Sequence, residues 1–365
     1  MERADSAVAL VAAETIEVRA DERLDTARLG PWLREHFPDA VGRLAVRQFG
    51  GGHANLTYLV AFGAREFVLR RPPLGPVAPG SHDMRREHRV LAVLHRAFPL
   101  APRSFHLCED ETIIGAVFQV LERRHGFAIR ADIPEEFRGR PELNRRIGTM
   151  LVETLAALHR VDARAVGLEG LGRPEGYLDR QLAGWSKRWD AAKEEPDAGM
   201  DRLRDWLGAH KPPSRATTLL HNDFKLDNML VDPADPARPV AVLDWDMCTL
   251  GDPLFDLGSM MTYWAEPDDP PLWREAAMMP TWREGFPTRR EAMARYAELT
   301  GFDLGAMRWH LVFGAFKLAV VLQQIYIRYV RGQTRDARFA RFGRRVAALI
   351  EKGLALSEDP SRTAP

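Results

Sequence analysis

The octapeptide His221-Asn222-Asp223-Phe224-Lys225-Leu226-Asp227-Asn228 lies between the apolar runs Leu219-Leu220 and Met229-Leu230-Val231. A polar loop gripped by two buried strands can hold its side chains at fixed angles. The spacing H-x-D-x-x-x-x-N lets such a loop aim one carboxylate, Asp223, at a substrate hydroxyl. A turn later it aims an amide oxygen, Asn228, at a divalent metal. Phosphoryl transfer needs this pairing, because its catalysis is mostly positioning and charge neutralisation. Three fixed residue types at these offsets arise by chance in a chain this long roughly a few times in a hundred. Alone, the same residues also suit a solvated loop whose Asp and Asn side chains close turns.

The next motif narrows the choice. Ala241-Val242-Leu243-Asp244-Trp245-Asp246 is an apolar strand ending abruptly in carboxylates, with Asp244 sixteen residues after Asn228. A strand–turn–strand between them would return Asp244 to the end of the ribbon where Asn228 sits. An amide oxygen and a carboxylate meeting there suit Mg²⁺, which takes oxygen ligands and leaves places for water or phosphate. Asp244 read otherwise is a cap for the segment that follows. Asp246 reads equally as a second metal or substrate contact and as a capped surface carboxylate.

The elements that must position these residues follow from periodicity. Leu44–Phe49, Thr57–Phe62 and Glu66–Arg70 read as three short antiparallel strands, the first ending at Gly50-Gly51-Gly52. Residues 1–30 read as a loosely packed lead-in, with a short helix over Thr26–His36. Met84–Phe98 has a helical pattern, and Thr112–Leu121 is an apolar, β-rich run. Beyond Arg124 the chain turns helical: a long amphipathic helix around Ile147–Leu158, then Tyr177–Ala191 and Met200–Ala209. Thr218–His221, Met229–Val231 and Val240–Asp244 are strand candidates around the motifs. From Asp256 to about Ser357 helices dominate. The apolar Val312–Val330 segment carries Lys317 and Arg328 and reads as a core helix. The division is an α+β chain with a β-rich lobe over 1–123 and a helical lobe over 124–365.

Composition excludes several classes. Lys plus Arg equals Asp plus Glu at 51 each, which gives no reason to expect a nucleic-acid or membrane partner. Two cysteines, Cys108 and Cys248, make neither a disulfide framework nor a zinc spacing, so a reducing, cytoplasmic setting is expected. The apolar run Ala7–Ala13 is short and flanked by Glu2, Asp5 and Glu14, unlike a secretory leader. Homodimerisation is allowed but not required.

Together the motifs resemble the aminoglycoside phosphotransferase and choline kinase-like superfamily. Its signature is H-x-D-x-x-x-x-N, then an apolar strand ending in Asp-Trp or Asp-Phe, then G-D-P-x-x-D-L. The last reads Gly251-Asp252-Pro253-Leu254-Phe255-Asp256-Leu257 here. The stretches GGGHANLTYLV, EFVLRRPP, REHRVL and YLDRQLAGW are most similar to the subgroup of kinase-like domains fused to, or associated with, acyl-CoA dehydrogenases. The resemblance implies a bilobal protein-kinase-like fold, with a small antiparallel sheet and one main helix in the N-lobe and a mostly helical C-lobe. It implies transfer of the ATP γ-phosphoryl group, with Mg²⁺, to a hydroxyl of a small molecule. A cationic aminoglycoside would favour an acidic pocket, whereas segments 172–210 and 260–305 carry mixed charge, and the resemblance points instead to a hydroxyacyl-CoA or another hydroxylated metabolite.

The resemblance also assigns roles. Asp223 would accept or orient the hydroxyl proton, and Lys225 would reach the γ-phosphate. Asn228 and Asp244 would hold Mg²⁺, and His221 and Asp256 would brace the catalytic loop. Gly50, Gly51, Gly52 and Asn55 would cover the nucleotide phosphates, although a bare triple glycine also suits an ordinary hairpin turn. Arg70 would grip phosphate and pair with Glu87. Leu121, Glu122 and Arg123 would meet adenine through their backbone. Arg70 stands where most kinases place Lys, and its planar fork differs from a point ammonium in reach and geometry. That leaves a non-catalytic, nucleotide-binding pseudokinase as one rival. An acyl-CoA dehydrogenase is a second, by association only, because the chain carries no G-x-G-x-x-G dinucleotide fingerprint.

Overall fold

Alternation of side chains along the early strands builds the first sheet. In the computed structural model, which describes residues 15–50, 55–75, 82–334 and 336–359, β1 (Thr15–Ile16), β2 (Leu44–Phe49), β3 (Leu56–Phe62), β4 (Arg65–Arg71), β5 (Ser104–Cys108) and β6 (Phe118–Glu122) form one sheet. Its order is β1-β2-β3-β4-β6-β5, and every pairing is antiparallel. On β3 and β4 alternate residues are buried, so Tyr58, Val60, Phe67 and Leu69 enter a core shared with Leu29 and Leu33 of helix α1 (Thr26–His36). Helix α2 (Met84–Leu94) starts at Asp83, whose side chain accepts from the N–H groups of Arg85 and Arg86.

The chain forms two compact units that follow contacts rather than chain order. The first runs to Ala128 and also takes in Arg164–Leu168 and Asn228–Cys248. Within it a three-stranded sheet pairs β9 (Met229–Val231) with β10 (Pro239–Val242) and with β7 (Phe127–Ala128). Gly126 allows this approach, since a Cβ there would stand 2.7 Å from the Val231 carbonyl oxygen.

The second unit comprises Ile129–Ala163, Glu169–Asp227 and Thr249 onward. It holds helices α3 (Pro141–His159), α4 (Tyr177–Ala192), α5 (Ala198–Ala209), α6 (Pro253–Tyr263), α7 (Pro271–Ala277), α8 (Arg289–Thr300), α9 (Met307–Val330) and α10 (Phe342–Glu358). A two-stranded ribbon pairs β8 (Thr218–Leu220) with β11 (Thr249–Gly251). Helix α9 is long and apolar enough to cross a membrane by composition alone, yet 78% of that stretch is buried inside the protein. It is a core helix, packed against α4, α6 and α10. Helices α6 and α9 meet backbone to backbone: a Cβ at Gly258 would lie 2.6 Å from the His310 oxygen.

Three sequence expectations change. Residues 15–30 are not a loose lead-in, because β1 joins the sheet and Leu24 and Leu29 are buried in the core. The 112–121 run yields a strand only from Phe118, because Asp110 and Gly115 (φ +78°) close a turn before it. Ser104–Cys108 and Thr249–Gly251 are strands that local pattern did not reveal.

Candidate active site

The first unit assembles a charged cluster around Arg70. Residues 67, 69 and 71 of β4 point into the core, which turns Arg70 to the opposite face. There its Nε lies 3.1 Å from Oε2 of Glu87, in the first turn of α2. The approach is out of line for a hydrogen bond, so this contact is Coulombic. Nη2 of the same guanidinium donates to Oδ1 of Asp244. Glu87 is only 1% exposed and accepts from Gln119 Nε2 at 2.6 Å and from the Trp245 N–H at 3.2 Å. Burial pushes the Glu87 carboxyl up to about 7, against the opposing pull of Arg70.

Asp244 and Asn228 meet through the β9–β10 ribbon. Val242 pairs with Met229, and the Leu243 N–H donates to the Asn228 oxygen at 2.8 Å, so both residues emerge at one end. Asp244 has φ +68°, a left-handed conformation that turns the chain sharply where the strand stops. Asp246 is mostly buried and accepts from Asn55 Nδ2 at 3.4 Å, while Asn55 Oδ1 accepts from His82 Nδ1 at 2.9 Å. Asp246 is therefore tied into the cluster and is no exposed cap. Among the described residues no three His, Cys, Asp or Glu side chains form a self-sufficient metal cage. An all-oxygen set of Asn228, Asp244 and Asp246 still suits Mg²⁺, which relies on few protein ligands when phosphates complete its shell.

The remaining first-unit candidates sit on or beside strands of the same sheet. Gly50 follows β2, and a Cβ there would make only ordinary contact with Ile16 at 3.4 Å. Gly51 and Gly52 lie outside the described residues. Leu121 is buried on β6 opposite Val68. Glu122 accepts from the Arg103 N–H at 3.1 Å, and the Arg123 guanidinium lies 4.9 Å from the Phe49 ring centroid.

The second unit holds the rest of the loop. Asp252 caps α6 by accepting from the Leu254 N–H at 2.9 Å, and Pro253 occupies the first helical turn. One turn on, fully buried Asp256 accepts from the His221 N–H at 2.6 Å and the Asn222 N–H at 2.7 Å. His159 Nε2 adds a third donor at 3.3 Å, and its Nδ1 accepts from Tyr296 at 2.5 Å. Burial alone would raise the Asp256 carboxyl, but His159 and His221 hold it below its ordinary value. Asn222 has φ +69° and is held on both sides. Lys317 donates to its carbonyl at 2.6 Å, and Tyr177 donates to its Oδ1 at 2.7 Å. Asp223 then projects with a quarter of its side chain exposed, accepting from Lys225 Nζ at 2.7 Å and from Tyr263 at 3.3 Å. Burial alone would lower the Lys225 ammonium, but Tyr263, Asp223 and Asp227 raise it, so it stays protonated. His221 Nδ1 accepts from the Asp223 N–H at 3.3 Å.

Sequence reading missed Tyr263, Lys317, Tyr177 and the His159 partner. Only Tyr263 left a signal: seven residues beyond Asp256, it shares a face of α6 with it.

The brace predicts a measurable cost. Asp256→Asn turns an amide NH₂ against a buried N–H donor and is expected to lose about 3 kcal/mol near pH 7. A carboxyl held low when folded stabilises above its ordinary value of 3.8, and that contribution fades as pH falls through the folded value. The gap between variant and wild type should therefore narrow toward about pH 3. Urea denaturation at both pH values checks it; a gap independent of pH would remove the charge from the argument.

A β-rich unit and a helical unit carrying these motifs make a protein-kinase-like fold. The chain belongs to the phosphotransferase enzyme family, whose model matches residues 45–309. It is 33% identical over 355 residues to acyl-CoA dehydrogenase family member 11 of Gallus gallus, covering 94% of this chain and 45% of that protein. The chain thus spans about half the length of the curated relatives it matches. Among solved structures, a candidate aminoglycoside phosphotransferase of Ralstonia eutropha is 30% identical, with a TM-score of 0.77 over 92% of this chain and 99% of that one. Choline kinase of Cryptosporidium parvum, 12% identical, shares the fold with a TM-score of 0.59 over 90% and 98%.

Proposed function

We propose that this chain is a kinase that transfers the γ-phosphoryl group of ATP, with Mg²⁺, to a hydroxyl group of a small molecule. The observation that carries this reading is the cluster in which Arg70 joins Glu87 and Asp244, with Asn228 at the same ribbon end as Asp244. A cation for phosphate and oxygen ligands for a metal stand together there. Asn228 and Asp244, with Asp246 beside them, would hold the ion, which would neutralise charge on the β- and γ-phosphates. Arg70 would exchange its bond to Asp244 for phosphate oxygens, while Glu87 keeps its guanidinium aligned. Asp223 would orient the acceptor hydroxyl and take its proton, and Lys225 beside it would meet the transferring phosphoryl group. The curated relatives are named for acyl-CoA chemistry, which makes a hydroxyacyl-CoA the first acceptor to try. Their dehydrogenase name covers proteins of which this chain matches under half, and that span belongs to the phosphotransferase family.

The test is ATP-dependent gain of one phosphate, by mass spectrometry, on hydroxyacyl-CoA compounds and then on a metabolite extract. Transfer should require Mg²⁺ and stop with EDTA. Asp244→Ala should raise the Mg²⁺ concentration for half-maximal rate by about tenfold or more, since even indirect metal contacts cost that much. ATP binding without turnover on any acceptor would favour the pseudokinase reading, and an unchanged Mg²⁺ titration would leave Asp244 only a strand-end cap.

A further inference from the structure

The helical unit contains a cavity of about 230 Å³ whose polar wall is incomplete. Two of its carboxylates are already committed. Asp269 accepts two bonds from Arg289, at 2.6 and 2.8 Å, and Glu266 closes on the same guanidinium. Lys352 also lines the cavity, is 4% exposed, and its ammonium has one hydrogen bond among the described residues, to the Thr262 carbonyl at 3.2 Å. An ammonium has three hydrogens to place. Trp273, 5% exposed, lines the same cavity, and its indole N–H has no partner among the described residues. Lys352 Nζ lies over the Trp273 ring, 5.9 Å from its centroid, and both residues line the same cavity. Burial and the nearby Arg289 guanidinium lower the Lys352 ammonium to about 8, against the opposing pull of Asp269 and Glu266. The rest of the wall is apolar, formed by Met261, Met293, Leu311 and Leu356.

We infer that this cavity binds a small monocarboxylate with a short aliphatic chain. A carboxylate has two oxygens, one for each unmet donor, and its charge would pair with the Lys352 ammonium, since Glu266 and Asp269 are already engaged by Arg289. The methionine and leucine side chains suit a short hydrocarbon tail. The volume is below that of common drug-sized pockets, which excludes bulky ligands. The site is separate from the residues proposed for phosphoryl transfer and does not rest on that reading. Its link to them is covalent: Thr262 faces the cavity from α6, and the next residue, Tyr263, donates to Asp223.

The probes are butyrate and hexanoate, with butanol, hexanol and inorganic phosphate as controls, titrated calorimetrically into the whole chain with and without ATP. Butyrate or hexanoate should bind saturably, and the matching alcohol roughly tenfold more weakly or worse. Lys352→Met keeps length and removes charge, and should weaken carboxylate binding by roughly tenfold or more. Trp273→Phe removes only the N–H, and should weaken it severalfold even if Lys352→Met fails to fold. Absence of saturable binding, phosphate binding as tightly as butyrate, loss of carboxylate binding on adding ATP, or wild-type affinity in Trp273→Phe would each overturn the proposal.

Discussion

Asp223→Asn is expected to lower the rate of phosphoryl transfer by about a thousandfold while leaving ATP affinity near normal. The substitution keeps the shape of the side chain and removes its capacity to take a proton. In the wild type, Lys225 and Tyr263 fix the two carboxylate oxygens, so the group is held in place before any acceptor arrives. An amide in that position turns one NH₂ toward a lysine or a hydroxyl donor, which spoils orientation as well as basicity. The groups proposed for the nucleotide, Arg70, Glu87 and Asp244, belong to the other compact unit, so ATP binding should persist. Steady-state kinetics and ATP calorimetry on one preparation give both numbers. Near-normal turnover would remove Asp223 from the chemical step.

Arg70→Ala should be the most damaging change in the first unit. The guanidinium stands between a carboxylate that is 1% exposed and a second that emerges from the strand end. Burial alone would lower its affinity for a proton, but Glu87, Asp244 and Asp246 more than reverse that, so it is always charged. Removing it leaves Glu87 buried without its cation, which costs about 3–5 kcal/mol of stability. It should also abolish most of the thermal stabilisation expected from ATP and Mg²⁺ under the proposed function. Arg70→Lys separates the two effects. The charge stays and part of the stability returns, but a point ammonium cannot reach Glu87 and a phosphate as a fork does. Chemical denaturation with and without nucleotide distinguishes the variants; wild-type ATP affinity in Arg70→Ala would end the phosphate-gripping role.

The parts legible in the sequence are those written in local spacing. The loop, the strand ending in Asp244 and the Gly-Asp-Pro segment each lie within eight residues, so their order and offsets point to the family that residues 45–309 match. Strands β2, β3 and β4 were equally plain, because alternation and tight turns are local. The three-residue strand β11 carries no such period, and its pairing with β8 across about thirty residues sets Leu250 opposite Leu219. The props of the loop were invisible for the same reason. Lys317 reaches Asn222 from a helix 95 positions away, and a lysine in a helix that reads as core shows no purpose until its partner is seen. Gln119 beneath Glu87 is a further case, a buried amide whose purpose depends on the register that sets Arg70 opposite it on β4.

The bare contact between α6 and α9 bears on how such a protein can diversify. Gly258 lies two residues beyond the aspartate that supports the loop, and Gly314 faces it so closely that a methyl group there would sit 2.8 Å from the Gly258 oxygen. A lineage acquiring a new acceptor is freer to rewrite the exposed positions of α7 and α8, provided Tyr296 of α8, which supports His159 and through it Asp256, is kept. It is not free to add a side chain at either glycine without shifting Asp256 and so the aim of Asp223. Mutagenic libraries seeking altered specificity would do best to hold Gly258, Gly314, Tyr177 and Tyr296 constant and place their variation on exposed positions of α4, α7 and α8.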